Sequence, residues 1–433
     1  MEEEARLSKK PRGDASSGLT AFALRTAKQL SKAAADGDGK NKNLVFSPLS
    51  IYAALALVAA GARGATLDEL LALLGAPSRH ELAEFAGDVV ERALADLSGS
   101  GGPLVAFACG VWHNKEAELK PAYRKVAVET YKAETRAADF LNKPEDTTRI
   151  IETNSWVSEA TKGLITSILP DGSVHSLTGL VLANAIYFKG KWSLPFSKKR
   201  TKTRQFQRLD GSHVGAPFMN SKSYHAIRDC DGFKVLKLAY LPYQIPRWDD
   251  KYRRRSGEQQ VSDDQMPRFS ICVFLPDDHD GLPSLVDRMA AASGASFLWD
   301  NLPEQRVEVR EFWLPKFKLS FSSEMDGVLK AMGVDAVFDE EKVDLHDMLE
   351  DKENKDAVSL VLEQVFHKAV IEVDEEGTEA AASSVGSSRQ LQCARRSVDF
   401  VADHPFAFFV VEEASKSVVF MGHVLDPTAG DES

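Results

Sequence analysis

A run of small residues directly after a short strand pattern constrains this chain more than any other feature. Residues 367–373 alternate as a half-buried strand does, beginning with His367. From position 378 every second residue is small and uncharged, while the charges of Glu379 and Arg389 fall on the other parity. The small set is Thr378, Ala380, Ala382, Ser384, Gly386 and Ser388. A strand is therefore followed by a ribbon with one face free of charge.

Two interpretations of this ribbon follow from its composition. Small polar residues bury too little apolar area to order themselves, so the run could be a flexible surface loop. It could also enter a β-sheet, where a strand between two others buries one face completely and a charge on that face costs several kcal/mol. Each new ladder hydrogen bond contributes roughly 0.5–1.5 kcal/mol, so about a dozen contribute on the order of 10 kcal/mol. That sum rivals the stability of an ordinary domain.

Length and composition indicate a globular protein with a large core. The chain of 433 residues could form two or three average domains or one large one. Its residues are 43% hydrophobic and 27% charged, which is typical of soluble proteins. The formal net charge of -11 argues against a general nucleic-acid-binding protein, because phosphate contacts need a basic face.

Other features bear on the compartment. Residues 1–17 include acidic side chains and no apolar segment, which argues against a secretory signal peptide. The longest apolar run, residues 51–62, is too short to span a bilayer. The cysteines have no CxxC pair and no metal-ligand spacing, which indicates reduced thiols. They are Cys109, Cys230, Cys272 and Cys393. We expect a soluble cytoplasmic protein without a metal or other cofactor.

Two basic clusters leave a nuclear role open. Lys9, Lys10 and Arg12 form one cluster, and residues 251–255 form another inside the polar segment 244–268. Either could serve nuclear import or bind anions, and either could be a solvated surface. The HExxH, P-loop, GxSxG and GxGxxG signatures are absent from the sequence, so it indicates no catalytic centre.

A short strand followed by a central helix is predicted near the N-terminus. Ser47 suits the N-cap and Pro48 the first helical position. The helix, residues 49–62, is apolar on all sides, so it should lie at the centre of the fold.

Three further patterns give local predictions. Thr66 and Glu69 have capping-box spacing and predict a helix over residues 67–74. Residues 400–412 and 418–427 predict a final buried hairpin. Asn184 stands inside the apolar strand pattern of residues 180–192, and a buried amide needs hydrogen-bond partners. These patterns describe mixed α and β structure.

Several motifs resemble those of inhibitory serpins. The run that follows His367, Lys368 and Ala369 resembles the family's hinge, and residues 46–51, 314–317 and 403–406 resemble other serpin signatures in the same order. The hinge residues are Glu376, Gly377, Thr378, Glu379, Ala380, Ala381 and Ala382. The resemblance covers about residues 19–427. Within the family, the hinge sequence and the lack of a signal peptide most resemble those of plant serpins.

The resemblance implies a fold and a domain organisation. The fold would be α+β, a single-domain serpin fold with three β-sheets, about eight to nine helices and an exposed reactive-centre loop. A disordered tail would cover residues 1–17 and the serpin domain residues 18–428, with a C-terminal tail at 429–433. Within the domain, residues 244–268 would form a surface insertion and residues 375–398 the hinge and reactive-centre loop.

The resemblance also implies an inhibitory mechanism, which is taken from the family and not from the spacing of residues. A target protease would attack the loop and form an acyl-enzyme, and the freed segment would insert as a new strand and trap the protease. Ser47, Ser50, Asn184 and His367 would form the latch that keeps the sheet closed until then.

The family's loop length locates the reactive bond. The residue before it lies 14 positions beyond the hinge glycine, which makes the bond Leu391–Gln392. Leu391 favours a chymotrypsin-like protease, whereas neighbouring arginines leave a trypsin-like target open and Gln390 a papain-like one. The protein would act as a monomer without a membrane partner. The alternative is a non-inhibitory serpin serving as a storage, chaperone or nuclear interaction protein.

Overall fold

The computed structural model describes nine ranges of the chain, which are residues 13–36, 42–140, 146–170, 172–175, 178–241, 267–291, 294–350, 360–376 and 397–429. Within these ranges the chain forms nine α-helices and three β-sheets, as the α+β prediction required. The predicted hinge beyond Glu376, the Leu391–Gln392 bond, Cys393 and most of the predicted insertion lie outside the described residues.

The described helices range in length from 6 to 24 residues. They are α1 (Gly13–Asp36), α2 (Pro48–Gly61), α3 (Gly64–Leu74), α4 (Arg79–Ala93), α5 (Pro121–Glu129), α6 (Asp146–Ala160), α7 (Leu282–Met289), α8 (Gly294–Asp300) and α9 (Asp326–Ala331). Short 3-10 helices lie at Ser98–Ser100, Lys198–Arg200 and Ala336–Phe338.

Sixteen strands make up the sheets of the described chain. They are β1 (Leu44–Phe46), β2 (Leu104–Asn114), β3 (Glu134–Ala138), β4 (Leu180–Lys189), β5 (Lys202–Gln207), β6 (His213–Asn220), β7 (His225–Cys230), β8 (Phe233–Ala239), β9 (Phe269–Pro276), β10 (Arg306–Val307), β11 (Val309–Pro315), β12 (Phe317–Glu324), β13 (Leu362–Val373), β14 (Val398–Val401), β15 (Phe406–Glu412) and β16 (Ser417–Val424). The orders are β1-β16-β15-β9-β8-β7-β10, β14-β11-β6-β5 and β12-β13-β4-β2-β3.

Helix α2 lies at the centre of the fold, as its sequence predicts. Ser47 is the N-cap, and its hydroxyl oxygen accepts a hydrogen bond from the Ser50 N–H at 3.2 Å. Pro48 occupies the first turn, where a missing N–H costs nothing. All residues of the helix except Ala60 are buried. A helix that is apolar on every face is stable only when it is surrounded, here by β4, β16 and α4 among others.

The five-stranded sheet has two buried faces. One face packs on α2 and the main core, and the other packs under α6 and the segment that follows it. Trp112 of β2 meets Trp156 of α6 edge to face at 4.7 Å. Because both faces are covered, β4 is buried along nearly its whole length, which explains its continuous apolar pattern.

Two predictions near the N-terminus were wrong in detail. Helix α1 begins at Gly13, inside the predicted tail, and the Ser16 hydroxyl donates to the Lys416 carbonyl at 2.8 Å. Helix α3 begins at Gly64, so Thr66 lies within the helix and the capping box does not form. Glu69 instead accepts hydrogen bonds from two backbone N–H groups at the start of the 3-10 helix Ala336–Phe338, each at 2.8 Å.

The predicted C-terminal hairpin is also only partly present. β15 and β16 pair antiparallel, but residues 398–401 leave them and join β11 of the four-stranded sheet in parallel. The break falls at residues 402–405, where the Ala402 N–H donates to the Trp313 carbonyl and Pro405 has no N–H to donate.

Among the described helices none is long and apolar enough to cross a membrane.

Candidate functional site

Four side chains from three elements meet at the middle of the five-stranded sheet. Ser47 and Ser50 open α2, Asn184 lies in β4 and His367 lies in β13. The Ser50 hydroxyl donates to the Asn184 side-chain oxygen at 2.7 Å, and the Asn184 amide donates to the Ser50 carbonyl at 3.1 Å. His367 Nδ1 lies 2.9 Å from the same Asn184 oxygen. These are the four residues that the resemblance named as a latch.

The His367 ring has one arrangement of protons that satisfies both contacts. Its Nε2 accepts from the Ser47 N–H at 3.0 Å, so Nδ1 carries the proton and donates to Asn184. The ring is fully buried, and burial lowers the pKa of His367 to about 3. The histidine is therefore neutral at physiological pH and joins α2 to both strands as a structural group.

The cluster of Ser47, Ser50, Asn184 and His367 connects a particular pair of strands. β4 and β13 run parallel and pair directly, with Asn184 opposite His367 and Lys189 opposite Glu372. Ser47 is tied in turn to β16, because its hydroxyl donates to the Val419 carbonyl at 2.6 Å. One polar cluster thus links the helix, the five-stranded sheet and the seven-stranded sheet at their common centre.

A second polar cluster holds the chain where it leaves β13. Glu375 is 5% exposed, and its carboxylate is held by Lys316 at 2.6 Å and by the Thr201 hydroxyl at 2.6 Å. Burial opposes the charged form, but these two hydrogen bonds outweigh it, so the pKa of Glu375 lies below its usual value. We call Thr201, Lys316 and Glu375 the root cluster.

The root cluster continues into the ends of β4 and β13. The Trp192 ring N–H donates to the Asp374 carbonyl at 2.7 Å. Lys189 pairs with Glu372 at 2.8 Å and with Asp374 at 3.1 Å. Contacts from parts of the chain that are far apart in sequence therefore hold residues 372–375 at the end of the β4–β13 pair.

Sequence reasoning found part of this arrangement. The hinge residue Glu376 lies beside the root cluster, 2.9 Å from Lys198. The roles of Lys189, Lys316 and Glu375 were missed, because single charged residues at unremarkable spacing carry no local signal. Gly377, Thr378, Glu379, Ala380, Ala381 and Ala382, with the predicted reactive bond, lie outside the described residues.

Comparison with known proteins decides the family. The model of the family described as Serpin (serine protease inhibitor) matches residues 17–427. The chain belongs to the serpin family. Its curated relatives include plant serpins, as the hinge sequence predicted. Serpin-Z2A of Oryza sativa subsp. japonica is 54% identical over 96% of this chain and 98% of its own length. Serpin-ZX of Arabidopsis thaliana is 41% identical over 90% of this chain and 93% of its own.

Solved structures agree with the fold of this serpin. Arabidopsis AtSerpin1 in its native stressed conformation is 38% identical, with a TM-score of 0.84 over 97% of this chain and all of that one. The Manduca sexta serpin-12 structure shares the fold at 24% identity and a TM-score of 0.74, over 95% of this chain and 99% of that one. Serpins are generally protease inhibitors.

Proposed function

We propose that this serpin is a suicide-substrate inhibitor of serine endopeptidases, with papain-like cysteine proteases as further targets. The cleaved reactive-centre loop would insert between β4 and β13. The observation that carries the proposal is the direct parallel pairing of these two strands, closed by the Ser47, Ser50, Asn184 and His367 cluster. Residue 376 is the last described residue before the loop and follows β13 by three positions.

The strand directions favour insertion at this seam. A chain that reverses after β13 runs antiparallel to it, and because β4 is parallel to β13 the new strand runs antiparallel to β4 as well. One parallel ladder is lost and two antiparallel ladders form, and antiparallel pairing is slightly more stable per residue. The net gain is about one ladder of roughly ten hydrogen bonds, on the order of 10 kcal/mol. The small residues on one parity let the strand enter without burying a charge.

The chemical step would be supplied by the protease. Its serine oxygen forms an ester bond to the carbonyl carbon of Leu391 while the Leu391–Gln392 peptide bond breaks. The serine proton passes through the protease's base to the new amine of Gln392, and the downstream peptide leaves. Insertion then carries the esterified protease away before water can hydrolyse the ester. Inhibition depends on insertion being faster than that hydrolysis.

Leu391 makes a chymotrypsin-like enzyme the first expected target. Its side chain suits an apolar primary pocket, while Arg389, Arg395 and Arg396 offer competing sites for trypsin-like enzymes. The experiment is to incubate the serpin with chymotrypsin, trypsin and papain and to look for a complex that survives SDS. Sequencing the released peptide identifies the bond, and a first residue of Gln392 is expected. Cleavage without any stable complex would refute the inhibitory mechanism.

A charge on the inserting face separates inhibition from simple cleavage. In Thr378→Arg the inserted strand must bury a guanidinium, which costs several kcal/mol and slows insertion. We expect this variant to be cleaved at the same bond with most of the protease released active. The matched control is Glu379→Arg, which adds the same group on the other parity and should keep the stable complex. Equal complex yields from the two variants would contradict the proposed insertion register.

The alternative remains a non-inhibitory serpin that acts as a storage, chaperone or nuclear interaction protein. It predicts proteolytic nicking of the loop with no trapped enzyme and no rise in thermal stability afterwards. Thermal unfolding before and after limited proteolysis therefore tests both proposals, because insertion adds a strand to the sheet and should raise the unfolding temperature.

A further inference from the structure

Three side chains of types that can bind a metal ion meet beside the connection between β14 and β15. His404 lies in the connection between β14 and β15 and is 5% exposed, while His279 is exposed in the loop between β9 and α7. Their rings stack with centroids 4.5 Å apart and planes 22° from parallel. Asp403 Oδ1 lies 2.9 Å from His404 Nδ1. One ligand atom from each of the three residues lies within 4.8 Å of the others.

The hydrogen bonds of His404 leave one nitrogen in an unusual position. Its Nε2 is 2.8 Å from the Pro276 carbonyl oxygen, which can only accept, so Nε2 carries a proton. In the neutral ring Nδ1 then presents a lone pair to the carboxylate oxygen of Asp403, which also presents a lone pair. Two lone pairs at this distance need a positive charge, which is either a second proton on the ring or a bound cation.

The surroundings favour a cation. A histidine that ligates a metal through one nitrogen usually donates its other N–H to a backbone carbonyl or carboxylate, as His404 does to Pro276. The second imidazole of His279 adds a nitrogen donor that a simple ion pair would not use. We propose that His279, Asp403 and His404 bind Zn²⁺ through two imidazole nitrogens and one carboxylate oxygen, with water at the fourth position.

The framework of this zinc site is largely in place. Zinc–nitrogen and zinc–oxygen bonds of about 2.0–2.2 Å put tetrahedral ligands roughly 3.3 Å apart, close to the separation of the Asp403 and His404 atoms. The Asp403 carbonyl is held by the Gln207 N–H at 2.8 Å. His279 is exposed, so its side chain can rotate to complete the site.

Zinc at this position would hold the chain downstream of the reactive loop. Asp403 and His404 follow β14 directly, and β14 is an edge strand of the four-stranded sheet that pairs with β11. The ion would tie this connection to the loop after β9, whose Asp277 N–H donates to the Gly232 carbonyl at 3.1 Å. Zinc should therefore stabilise the intact protein, whether or not it inhibits a protease. His279 is far in sequence from the adjacent Asp403 and His404, so no spacing motif indicates the site.

The test is titration of the intact protein with ZnCl₂ by calorimetry, with thermal unfolding in parallel. We expect one tight site per chain, a higher unfolding temperature with Zn²⁺ but not with Mg²⁺, and tetrahedral absorption bands when Co²⁺ replaces Zn²⁺. His279→Ala should weaken Zn²⁺ binding at least about tenfold without affecting folding, because the residue is exposed.

The matched control is His346→Ala. His346 forms a surface pair with Asp344 at 2.8 Å, and among the described residues no third metal-ligating atom lies close to this pair. Loss of His346 should therefore leave the tight site unchanged. Absence of a tight site, or equal zinc affinity in wild type and His279→Ala, would overturn the proposal. Either result would mean that no metal ion joins His404 to Asp403.

Discussion

Acidification should loosen the latch through His367, and the structure gives the size of the effect. Burial lowers the pKa of His367 to about 3, whereas the pKa of a histidine in an unfolded chain is about 6.5. Between these values the unfolded state binds a proton that the folded state does not, so stability falls as pH falls. A pH of 5.0 lies about 1.5 units below the pKa of the unfolded histidine, and each unit corresponds to about 1.4 kcal/mol. The free energy of unfolding should therefore be about 2 kcal/mol lower at pH 5.0 than at pH 7.5.

The assay isolates this contribution by comparing variants. Urea unfolding of wild type and His367→Gln at pH 7.5 and 5.0 should show a pH-dependent loss that is about 2 kcal/mol smaller in the variant. His225 and His423 also have pKa values lowered to about 4, mainly by burial. Acidification should therefore destabilise wild type by more than the contribution of His367 alone. His423→Gln is the matched control and keeps the contribution of His367. An identical pH dependence in wild type and His367→Gln would refute the assignment of the neutral buried ring.

Two further variants test the contacts that hold the loop and the core. Lys316→Met leaves the buried Glu375 carboxylate without its ammonium partner and should lower the free energy of unfolding, measured in urea, by about 1–3 kcal/mol. The control is Lys318→Met on the exposed face of β12. Equal effects of the two substitutions would contradict the role of the Lys316–Glu375 pair. Glu69→Ala removes the acceptor of two backbone N–H groups and should cost about 1 kcal/mol in the same assay, whereas Asp68→Ala should cost little. A negligible effect of Glu69→Ala would argue against this capping contact.

Local patterns predicted the elements whose surroundings are uniform. The all-apolar helix α2 and the apolar strand β4 could be placed because burial on every side leaves a continuous signal in the sequence. Gly75, in the left-handed conformation with φ of 63°, ends α3 at Leu74, the last residue of the predicted helix. The start of α3 was missed because Arg63 caps it without a side-chain bond, while Glu69 caps a helix that is far away in sequence.

Only part of the candidate site could be predicted from the sequence. The Asn184 amide inside an apolar run required partners, and the family resemblance supplied His367 and the two serines. The contacts of Lys316 with Glu375 and of Trp192 with Asp374 could not be predicted, because each joins residues that only the folded sheets bring together. The proximity of His279 to Asp403 and His404 could not be predicted for the same reason.

By itself the sequence determined which segments are apolar enough to be buried and which face of residues 378–388 is free of charge, since both properties belong to the residues alone. Tertiary structure decided that β4 and β13 are parallel neighbours, that His367 is neutral and that His404 faces both a carbonyl and a carboxylate. Strand order and burial depend on contacts between distant parts of the chain, and a pKa depends on the solvent and charges that those contacts leave around a group.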